Sequence, residues 1–396
     1  MKSSLIEQRK QGRVLIFSKL RKSGQLARID IAKETGLSPA TVTTITAEMM
    51  ADGLIEEVDR PTPNGEVRRG RPRVELKLRP SSCVVAGIKL SEGVISSMIV
   101  DLEGNTLGSL VRPFDAASFE AEELAVTLNA LLQDLAETAE QKVEDLAGVG
   151  IGVPGIVNKE EGFVHWSPLL KKRNVSLLTT LTDHLPIPVF VDNDTNLVAL
   201  AELWFGYGRT LDDFIVVTIE HGVGMGIVID GQVYRGAQGR GAEFGHTKII
   251  PDGALCRCGQ RGCLEAYIAD YALLREASIV LPDLPGASVE QRLDKLYEIA
   301  TDGNHDAQSI FARAGKLFSL GLANLINIFD PKLIILSGEQ MRLDYLSSPE
   351  FKEEVQRNII HVDAPVPEIV VHRWGDLMWA KGAAAFALNE CMNASL

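Results

Sequence analysis

The sequence predicts an α/β protein in which a small, mainly helical N-terminal domain precedes a larger two-lobed body. Three observations lead to this fold class. The 396 residues are too many for one ordinary hydrophobic core. Residues 1–80 carry a net charge of +6, although the whole chain carries −13, so a basic head precedes an acidic remainder. Beyond residue 80, short buried strands alternate with helical segments, which is typical of α/β architecture.

Composition favours a cytoplasmic protein. No apolar run approaches the roughly 20 residues that a membrane-spanning helix needs. The first ten residues, MKSSLIEQRK, lack the apolar segment and the small-residue cleavage site of a signal peptide. Five cysteines are an odd number, and three lie close together, which fits a reduced compartment better than a disulfide framework. We therefore expect a cytoplasmic location and no membrane insertion.

A helix-turn-helix pattern follows the first 26 residues. A short amphipathic helix is predicted to end at Gly36, because glycine readily adopts the positive φ that closes such a turn. Ser38 is placed to cap a second helix, and Pro39 suits its first position. Residues at the start of such a second helix reach base edges in a DNA major groove. The residues concerned are Ser38, Ala40, Thr41, Thr43 and Thr44.

A β-hairpin wing is predicted after the two helices. The segment alternates apolar and polar residues at both ends, around a middle that contains Pro, Asn-Gly and arginines. The tip carries Arg68, Arg69, Arg71 and Arg73, a cationic segment suited to phosphates or a narrow minor groove. A plain three-helix domain with a solvated arginine loop is the alternative. The helices, the wing and the positive charge together favour binding to double-stranded operator DNA.

The body contains an internal repeat. Residues 84–113 and 214–236 each contain a strand, a glycine turn, a second strand, a turn with aspartate and a third strand. Such a repeat predicts two related lobes with a cleft where small ligands usually bind. Between the repeats, a strand passes through Asp192, Asn193 and Asp194 into a helix. These side chains would lie at the cleft edge, and a helix N-cap is the compatible structural interpretation.

Four motifs follow one another in an order that resembles a known family. They read GVPGIVN, VDNDTN, GAEFGH and CRCGQRGCLE, and together they are far more specific than any one of them. The body resembles the ROK family of repressors and sugar kinases, and the head resembles the winged-helix repressor branch of that family. The resemblance covers nearly the whole chain and implies an actin/hexokinase-like (ribonuclease H-like) pair of α/β lobes.

These patterns give expected domain boundaries. A winged helix-turn-helix domain occupies residues 1–80, the first α/β lobe residues 81–190 and the second lobe residues 191–396. The second lobe contains the cysteine-rich loop. We expect the C-terminal helix to pack back on the first lobe.

One imidazole and three thiolates lie within 18 positions of the second lobe. They belong to His246, Cys256, Cys258 and Cys263, a full tetrahedral set for Zn²⁺ that also matches the family's pattern. Four protein ligands leave no open position, so we expect one structural zinc ion per chain. Metal-free, reduced cysteines are the alternative.

The resemblance also implies a sugar site beside this metal. In family members, the residues that match Asn193, Asp194, Glu243 and Glu265 contact the sugar. If one nitrogen of His246 binds zinc, the other can face the cleft and bond a sugar hydroxyl, so the metal would orient the ring.

Two differences from the family's kinases concern ATP. Asp194 matches the general base of the kinases, so that residue is present. The stretch GIKLSEG, however, places Lys89 where the first phosphate loop of the kinases has aspartate. In IEHGVGMG, Glu220 and His221 replace Gly-Thr and bring a carboxylate toward the triphosphate. We therefore expect a degenerate ATP site and no enzyme activity.

These features predict a sugar-responsive transcriptional regulator, a repressor of genes for carbohydrate uptake or catabolism, that acts as a homodimer or homotetramer. Sugar binding would change lobe closure and thereby the spacing of the heads. A bifunctional or cryptic sugar kinase is the alternative, and control by a transport protein is a third interpretation. The sugar, its phosphorylation, the operator and the sign of regulation stay open. Lys171, Lys172 and Arg173 would receive a sugar phosphate or form a solvated surface.

Overall fold

The computed structural model of the protein describes residues 2–58, 74–91, 93–114, 119–338, 341, 343–346, 348–363, 365–373, 375 and 377–396. The chain forms two compact units. The first comprises Met1–Thr210 together with Asp376–Leu396, and the second comprises Leu211–Gly375. Within the described residues, no helix is both long and apolar enough to cross a bilayer.

The head is a winged helix-turn-helix domain. Its elements are α1 (Lys2–Ser23), β1 (Gln25–Ala27), α2 (Arg28–Thr35), α3 (Pro39–Ala51), β2 (Ile55–Val58) and β3 (Glu75–Leu78). Gly36 ends α2 with a φ of 70°, and the Ser38 hydroxyl accepts a hydrogen bond from the backbone N–H of Thr41 at the start of α3. β3 pairs antiparallel with both β1 and β2. The predicted turn and cap are confirmed, and β2 and β3 pair as the two strands of the predicted hairpin, whose tip lies outside the described residues.

The end of α1 packs on the body part of the first unit. The rings of Phe17 and Trp204 lie 6.2 Å apart, and the Arg21 guanidinium lies 5.1 Å from the centroid of the Trp204 ring. Arg21 is buried and donates a hydrogen bond to the carbonyl of Leu203. In return, Arg209 Nε donates to the carbonyl oxygen of Arg21 at 2.8 Å. A tilted aromatic contact, a cation–π contact and hydrogen bonds to carbonyl groups therefore attach the head to the body.

The body part of the first unit is a five-stranded sheet with helices. The strands are β4 (Val85–Ser91), β5 (Gly93–Val100), β6 (Thr106–Phe114), β7 (Val149–Val153) and β10 (Val189–Asn193), in the order β10-β7-β4-β5-β6. β4, β5 and β6 are antiparallel, whereas β7 and β10 run parallel to β4. The remaining elements are β8 (Ile156–Asn158), β9 (Phe163–Trp166), α4 (Ala121–Thr138), α5 (Leu177–His184), α6 (Asp194–Phe205) and α12 (Met378–Ser395).

The second unit has the same sheet topology. Its strands are β11 (Phe214–Ile219), β12 (Val223–Ile229), β13 (Gln232–Tyr234), β14 (Leu333–Ser337) and β15 (Glu368–Val371). β11, β12 and β13 are antiparallel, and β14 and β15 run parallel to β11. Its helices are α7 (Glu265–Ile268), α8 (Asp270–Glu276), α9 (Val289–Thr301), α10 (His305–Phe329) and α11 (Pro349–Asn358). The repeat in the sequence thus corresponds to two sheets of one design.

The first unit extends beyond residue 190, where we had expected the first lobe to end. β10 pairs with β7 over its whole length, and α6 packs on α12. These contacts place residues 191–210 in the first unit. The physical reason is that β10 and the helix that follows it complete the first sheet and its cover.

Helix α12 lies directly against the backbone of this sheet. A Cβ at Gly87 of β4 would overlap the carbonyl oxygen of Ala380, and a Cβ at Gly150 of β7 would overlap that of Ala383. A Cβ at Gly382 of α12 would overlap the carbonyl oxygen of Leu197 in α6. The helix therefore needs glycine at these positions to make its close contacts.

Gly150→Ala should destabilise the first unit, because its methyl group meets backbone that can yield only by moving α12. We expect the free energy of unfolding to fall by about 1–3 kcal/mol, which is typical of overpacking. Scanning calorimetry should show this as a lower unfolding temperature. Gly315→Ala in α10 is the control, since the nearest atom outside its own helical turns, the Tyr345 carbonyl oxygen, is 3.8 Å from a new Cβ there. This variant should raise the free energy of unfolding by up to about 1 kcal/mol, because alanine favours a helix more than glycine does. Equal shifts for both variants would contradict the packing argument.

Candidate functional site

Helix α3 presents one polar face away from the core of the head. The side chains of Val42, Ile45, Thr46 and Met49 are buried. Those of Ser38, Ala40, Thr41, Thr43 and Thr44 are exposed. Thr43 Oγ1 donates to the carbonyl of Pro39 at 2.8 Å, and Thr44 Oγ1 donates to that of Ala40 at 3.1 Å. The outward side of each threonine therefore offers a methyl group and an oxygen lone pair, which suit thymine methyl and base amino groups.

The wing arginines belong to the segment between β2 and β3. Arg69 and Arg71, with Arg68 and Arg73, lie outside the described residues. β2 ends before that segment and β3 begins after it. The two strands are antiparallel, with Ile55 opposite Leu78 and Val58 opposite Glu75.

Asn193 caps α6 and links it to another motif. Its Oδ1 accepts hydrogen bonds from the backbone N–H groups of Thr195 at 2.9 Å and Asn196 at 3.4 Å. Its Nδ2 donates to the carbonyl oxygen of Gly155, in the GVPGIVN motif, at 2.7 Å. The N-cap interpretation is therefore correct, and the amide is held on both sides.

Asp194 forms a largely buried ion pair with Lys89. Its Oδ1 accepts a hydrogen bond from the Thr195 N–H at 2.8 Å, and its Oδ2 accepts one from Lys89 Nζ. The Lys89 ammonium also lies 4.7 Å from the centroid of the Trp379 ring, which α12 provides. The residue that we had considered only as a missing aspartate thus has a partner in the same site. A charged side chain in an apolar strand was the available signal, because burial requires such a partner.

The loop between β11 and β12 is fixed to the start of α8. The Glu220 N–H donates to the carbonyl of Gly222 at 2.9 Å, and the Asp270 N–H donates to the carbonyl of Glu220 at 3.1 Å. His221 Nδ1 lies 3.0 Å from Asp270 Oδ2. This loop therefore carries one acidic residue and one histidine, and Asp270 of α8 brings a second carboxylate to it.

His246, Cys256, Cys258 and Cys263 form a cluster that could hold a metal ion. One donor atom from each residue lies within 4.8 Å of the donor atoms of the others. His246 Nδ1 lies 3.7 Å from Cys256 Sγ, and the sulfurs of Cys258 and Cys263 lie 3.8 Å apart. Burial raises the pKa of the Cys256 thiol, so metal binding there would have to displace a proton.

Two further side chains extend this cluster, and the sequence had not indicated them. Lys248 Nζ lies 2.9 Å from Cys263 Sγ, and the Tyr271 hydroxyl lies 3.6 Å from Cys256 Sγ. Burial raises the pKa of Tyr271 above its usual range, so the hydroxyl keeps its proton and can donate to a sulfur. Both partners can donate a hydrogen bond to a cysteine sulfur.

The two predicted glutamates of the second unit have different surroundings. Glu243 is exposed, and its Oε2 lies 4.0 Å from His246 Nε2, the ring nitrogen that faces away from the cysteines. Glu265 is buried, and its Oε2 accepts a hydrogen bond from the Val223 N–H at 3.2 Å. Its Oε1 lies 3.4 Å from Cys256 Sγ. The carboxylate of Glu265 is thus partly engaged within the protein.

The predicted sugar contacts divide between the units. Asn193 and Asp194 lie side by side in the first unit, and the second unit brings Glu243, His246 and Glu265 around the cysteine cluster. The basic run offers little support for phosphate binding, because Lys171 pairs with Glu123 at 3.3 Å and Lys172 with Glu120 at 2.9 Å. These exposed pairs favour the surface interpretation.

Comparisons with known proteins agree with this architecture and confirm the predicted fold class. Residues 85–390 match the ROK family, and residues 18–56 match the winged helix-turn-helix DNA-binding domain. The chain is 29% identical to the xylose repressor of Caldicellulosiruptor bescii over 96% of both chains. A solved ROK family transcriptional regulator, described as a homolog of the E. coli MLC protein, superposes with a TM-score of 0.77 at 27% identity, over 98% of this chain and 97% of that one. A ROK family glucokinase from Streptomyces griseus, in complex with glucose and AMPPNP, gives a TM-score of 0.66 at 29% identity, over 77% of this chain and 99% of that one. The protein belongs to the ROK family.

Proposed function

We propose that this protein is a sugar-responsive, DNA-binding transcriptional repressor of genes for carbohydrate uptake or catabolism. The observation that carries the proposal is a helix-turn-helix head, with an exposed row of small polar residues, joined to a sugar-kinase-like body. Its likeness along nearly the whole chain to a protein named a xylose repressor supports the same function. Such a protein works in the cytoplasm with the DNA, and helix-turn-helix proteins commonly read paired half-sites as homo-oligomers, here a dimer or tetramer.

The proposed DNA contacts come from α3 and from the wing. Ser38, Thr41, Thr43 and Thr44 would meet base edges, because all four are exposed on the first turns of α3. Arg69 and Arg71 would contact phosphates or the minor groove, which supplies affinity with little sequence preference.

The proposed effector is a small sugar or sugar phosphate. Asn193, Asp194, Glu243, His246 and Glu265 would contact it, as implied by the family motifs. Helix α6 gives the response a route to the head within the first unit. Asn193 and Asp194 lie at its first turn, and Trp204 near its end packs on Phe17 and Arg21 of α1. A shift of the helix at the sugar would therefore reach the DNA-binding domain.

We propose zinc as the metal of the cysteine cluster. Tetrahedral Zn²⁺ with Zn–S bonds of about 2.3 Å places two sulfurs about 3.8 Å apart, and a sulfur and an imidazole nitrogen about 3.6 Å apart. The distances of 3.8 Å between Cys258 and Cys263 and 3.7 Å between Cys256 and His246 fit these values. Four protein ligands would complete the shell, so the ion would be structural and would orient His246 toward the sugar.

A bifunctional or cryptic ATP-dependent sugar kinase with a DNA-binding head is the second candidate. The likeness to a glucokinase that binds glucose and AMPPNP favours it. Against it, the Lys89 ammonium pairs with Asp194, the carboxylate that would have to take the proton of a sugar hydroxyl. Glu220 adds negative charge to the loop that would face triphosphate. We therefore propose that the protein does not turn over ATP.

Protein purified without added metal should contain about one equivalent of zinc per chain by elemental analysis. Cys258→Ala should lower this to well under half an equivalent, because three ligands remain. Cys391→Ser is the matched control and should keep its zinc, since Cys391 contacts the Ala147 carbonyl instead of the cluster. A zinc content well under half an equivalent in the wild-type protein would contradict the proposed zinc site.

Thr43→Ala should change the preference among DNA sequences selected from a random library. A lost base contact costs about 1–3 kcal/mol, so affinity for the preferred sequence should fall about five- to a hundredfold, with less effect on others. Thr182→Ala is the control, because the exposed Thr182 hydroxyl makes the same bond to a carbonyl one turn earlier, in α5. Unchanged selection by Thr43→Ala would exclude this residue from base recognition.

At least one of D-xylose, D-glucose, N-acetyl-D-glucosamine and the 6-phosphates of the last two should release DNA from the wild type, as measured by fluorescence anisotropy. Glu243→Ala should raise the required sugar concentration ten- to a hundredfold by removing a charge-assisted hydrogen bond, while Glu290→Ala in α9 should not. DNA binding without sugar should survive both. ATP turnover on the order of 1 s⁻¹ or more with any of these sugars would instead establish the kinase.

A further inference from the structure

We propose that Lys89 is a positioning residue of the effector site, whose ammonium holds Asp194 as a fixed hydrogen-bond acceptor for one sugar hydroxyl. The inference deepens the proposed function and depends on it for the identity of the ligand. It assigns a binding role to the residue that replaces the kinase aspartate.

The position of Lys89 requires an acidic partner. Every residue from Val85 to Leu90 of β4 is buried, and Lys89 itself is only 5% exposed. An ammonium in such surroundings is strongly unfavourable unless it is paired and hydrogen-bonded. Asp194 supplies the charge, and the Trp379 ring covers the ammonium on a second side.

The parallel strands of the sheet bring the two residues together. β7 lies between β4 and β10, and Gly152 of β7 is the register partner of Lys89. The Lys89 side chain passes over this glycine, with its Cδ 3.6 Å from the position that a Cβ would take. Because Gly152 has no side chain, lysine can reach across β7 to the residue that follows β10.

The pair is open on the side of the carboxylate. The side chain of Lys89 is 6% exposed and that of Asp194 is 17% exposed, so a ligand reaches the acceptor and not the ammonium. Among the residues that the structure describes, Asp194 receives one hydrogen bond on each oxygen, from Lys89 and from the Thr195 N–H. An ionised carboxylate accepts about four hydrogen bonds. Two acceptor positions are therefore left for sugar hydroxyl groups.

This arrangement suits binding and opposes phosphoryl transfer. A general base must accept the hydroxyl proton on an available oxygen. Here the ammonium binds one carboxylate oxygen and fixes the orientation of the group, so a sugar hydroxyl can donate a hydrogen bond to the acceptor positions that remain. Lys89 thereby turns the base position of the kinases into an acceptor for the effector.

The test measures sugar affinity by calorimetry without DNA, using whichever sugar of the panel releases DNA from the wild type. Lys89→Met should weaken binding about ten- to a hundredfold, and Lys89→Arg should restore it to within about threefold of the wild type. Asp194→Asn should weaken sugar binding by a similar factor. The sugar affinity of the double variant should be no lower than that of either single variant, because the two residues act as one unit.

Lys159→Met is the matched control. Lys159 also pairs with a carboxylate, Glu390 at 3.1 Å, and lies 5.9 Å from the centroid of the Phe386 ring. This variant should keep wild-type sugar affinity whatever happens to its melting temperature. Circular dichroism and sugar-free DNA binding report whether each variant is folded.

The binding of deoxy sugar analogues shows whether Lys89 positions Asp194 or only stabilises the fold. Among the monodeoxy analogues of the sugar, the one that lacks the hydroxyl bound by Asp194 should bind equally well to the wild type and to Lys89→Met. Wild-type sugar affinity in folded Lys89→Met, or losses that multiply in the double variant, would overturn the role of Lys89 while sugar-dependent DNA release still stands. A wild type that binds no sugar of the panel would overturn both proposals.

Discussion

The close contact between α12 and the sheet of the first unit is the constraint on which the rest of that unit depends. Gly87 and Gly150 leave the backbone of β4 and β7 uncovered, so a helix can lie directly on it. This contact brings the chain's last helix to a sheet formed about 230–290 residues earlier. It also places the Trp379 ring against the ammonium of Lys89 and so covers one side of that group.

Helix α6 is held by the same helix and connects two regions with different tasks. The backbone of Leu197 lies against Gly382 of α12, which fixes the middle of α6. The first turn carries the Asn193 cap and the Asp194 carboxylate, and the last turn carries Trp204 against the head. Since one packed helix includes both ends, a change at the carboxylate has a short physical path to α1.

The parts of the protein that the sequence predicted are those that local residues determine. The turn needs a residue with positive φ, which Gly36 provides, and the helix after it needs the cap that Ser38 supplies. The cluster of one histidine and three cysteines was predictable for a similar reason, because three cysteines lie in one short loop and only His246 comes from outside it. The two sheets followed from the repeat of the strand pattern. In each case the informative residues are near neighbours along the chain.

The interactions that the sequence could not supply join distant residues. The first lobe extends past the expected boundary because β10 completes its sheet, and Glu265 of α7 is partly engaged by the backbone N–H of Val223 in β12. Lys89 is the most instructive residue. Its burial in an apolar strand requires an acidic partner, but many carboxylates in the chain would satisfy that requirement. Only the strand order, with β4, β7 and β10 parallel and Gly152 between them, selects Asp194, 105 residues away. Sequence chemistry therefore states that a partner must exist, and topology decides that this partner is Asp194.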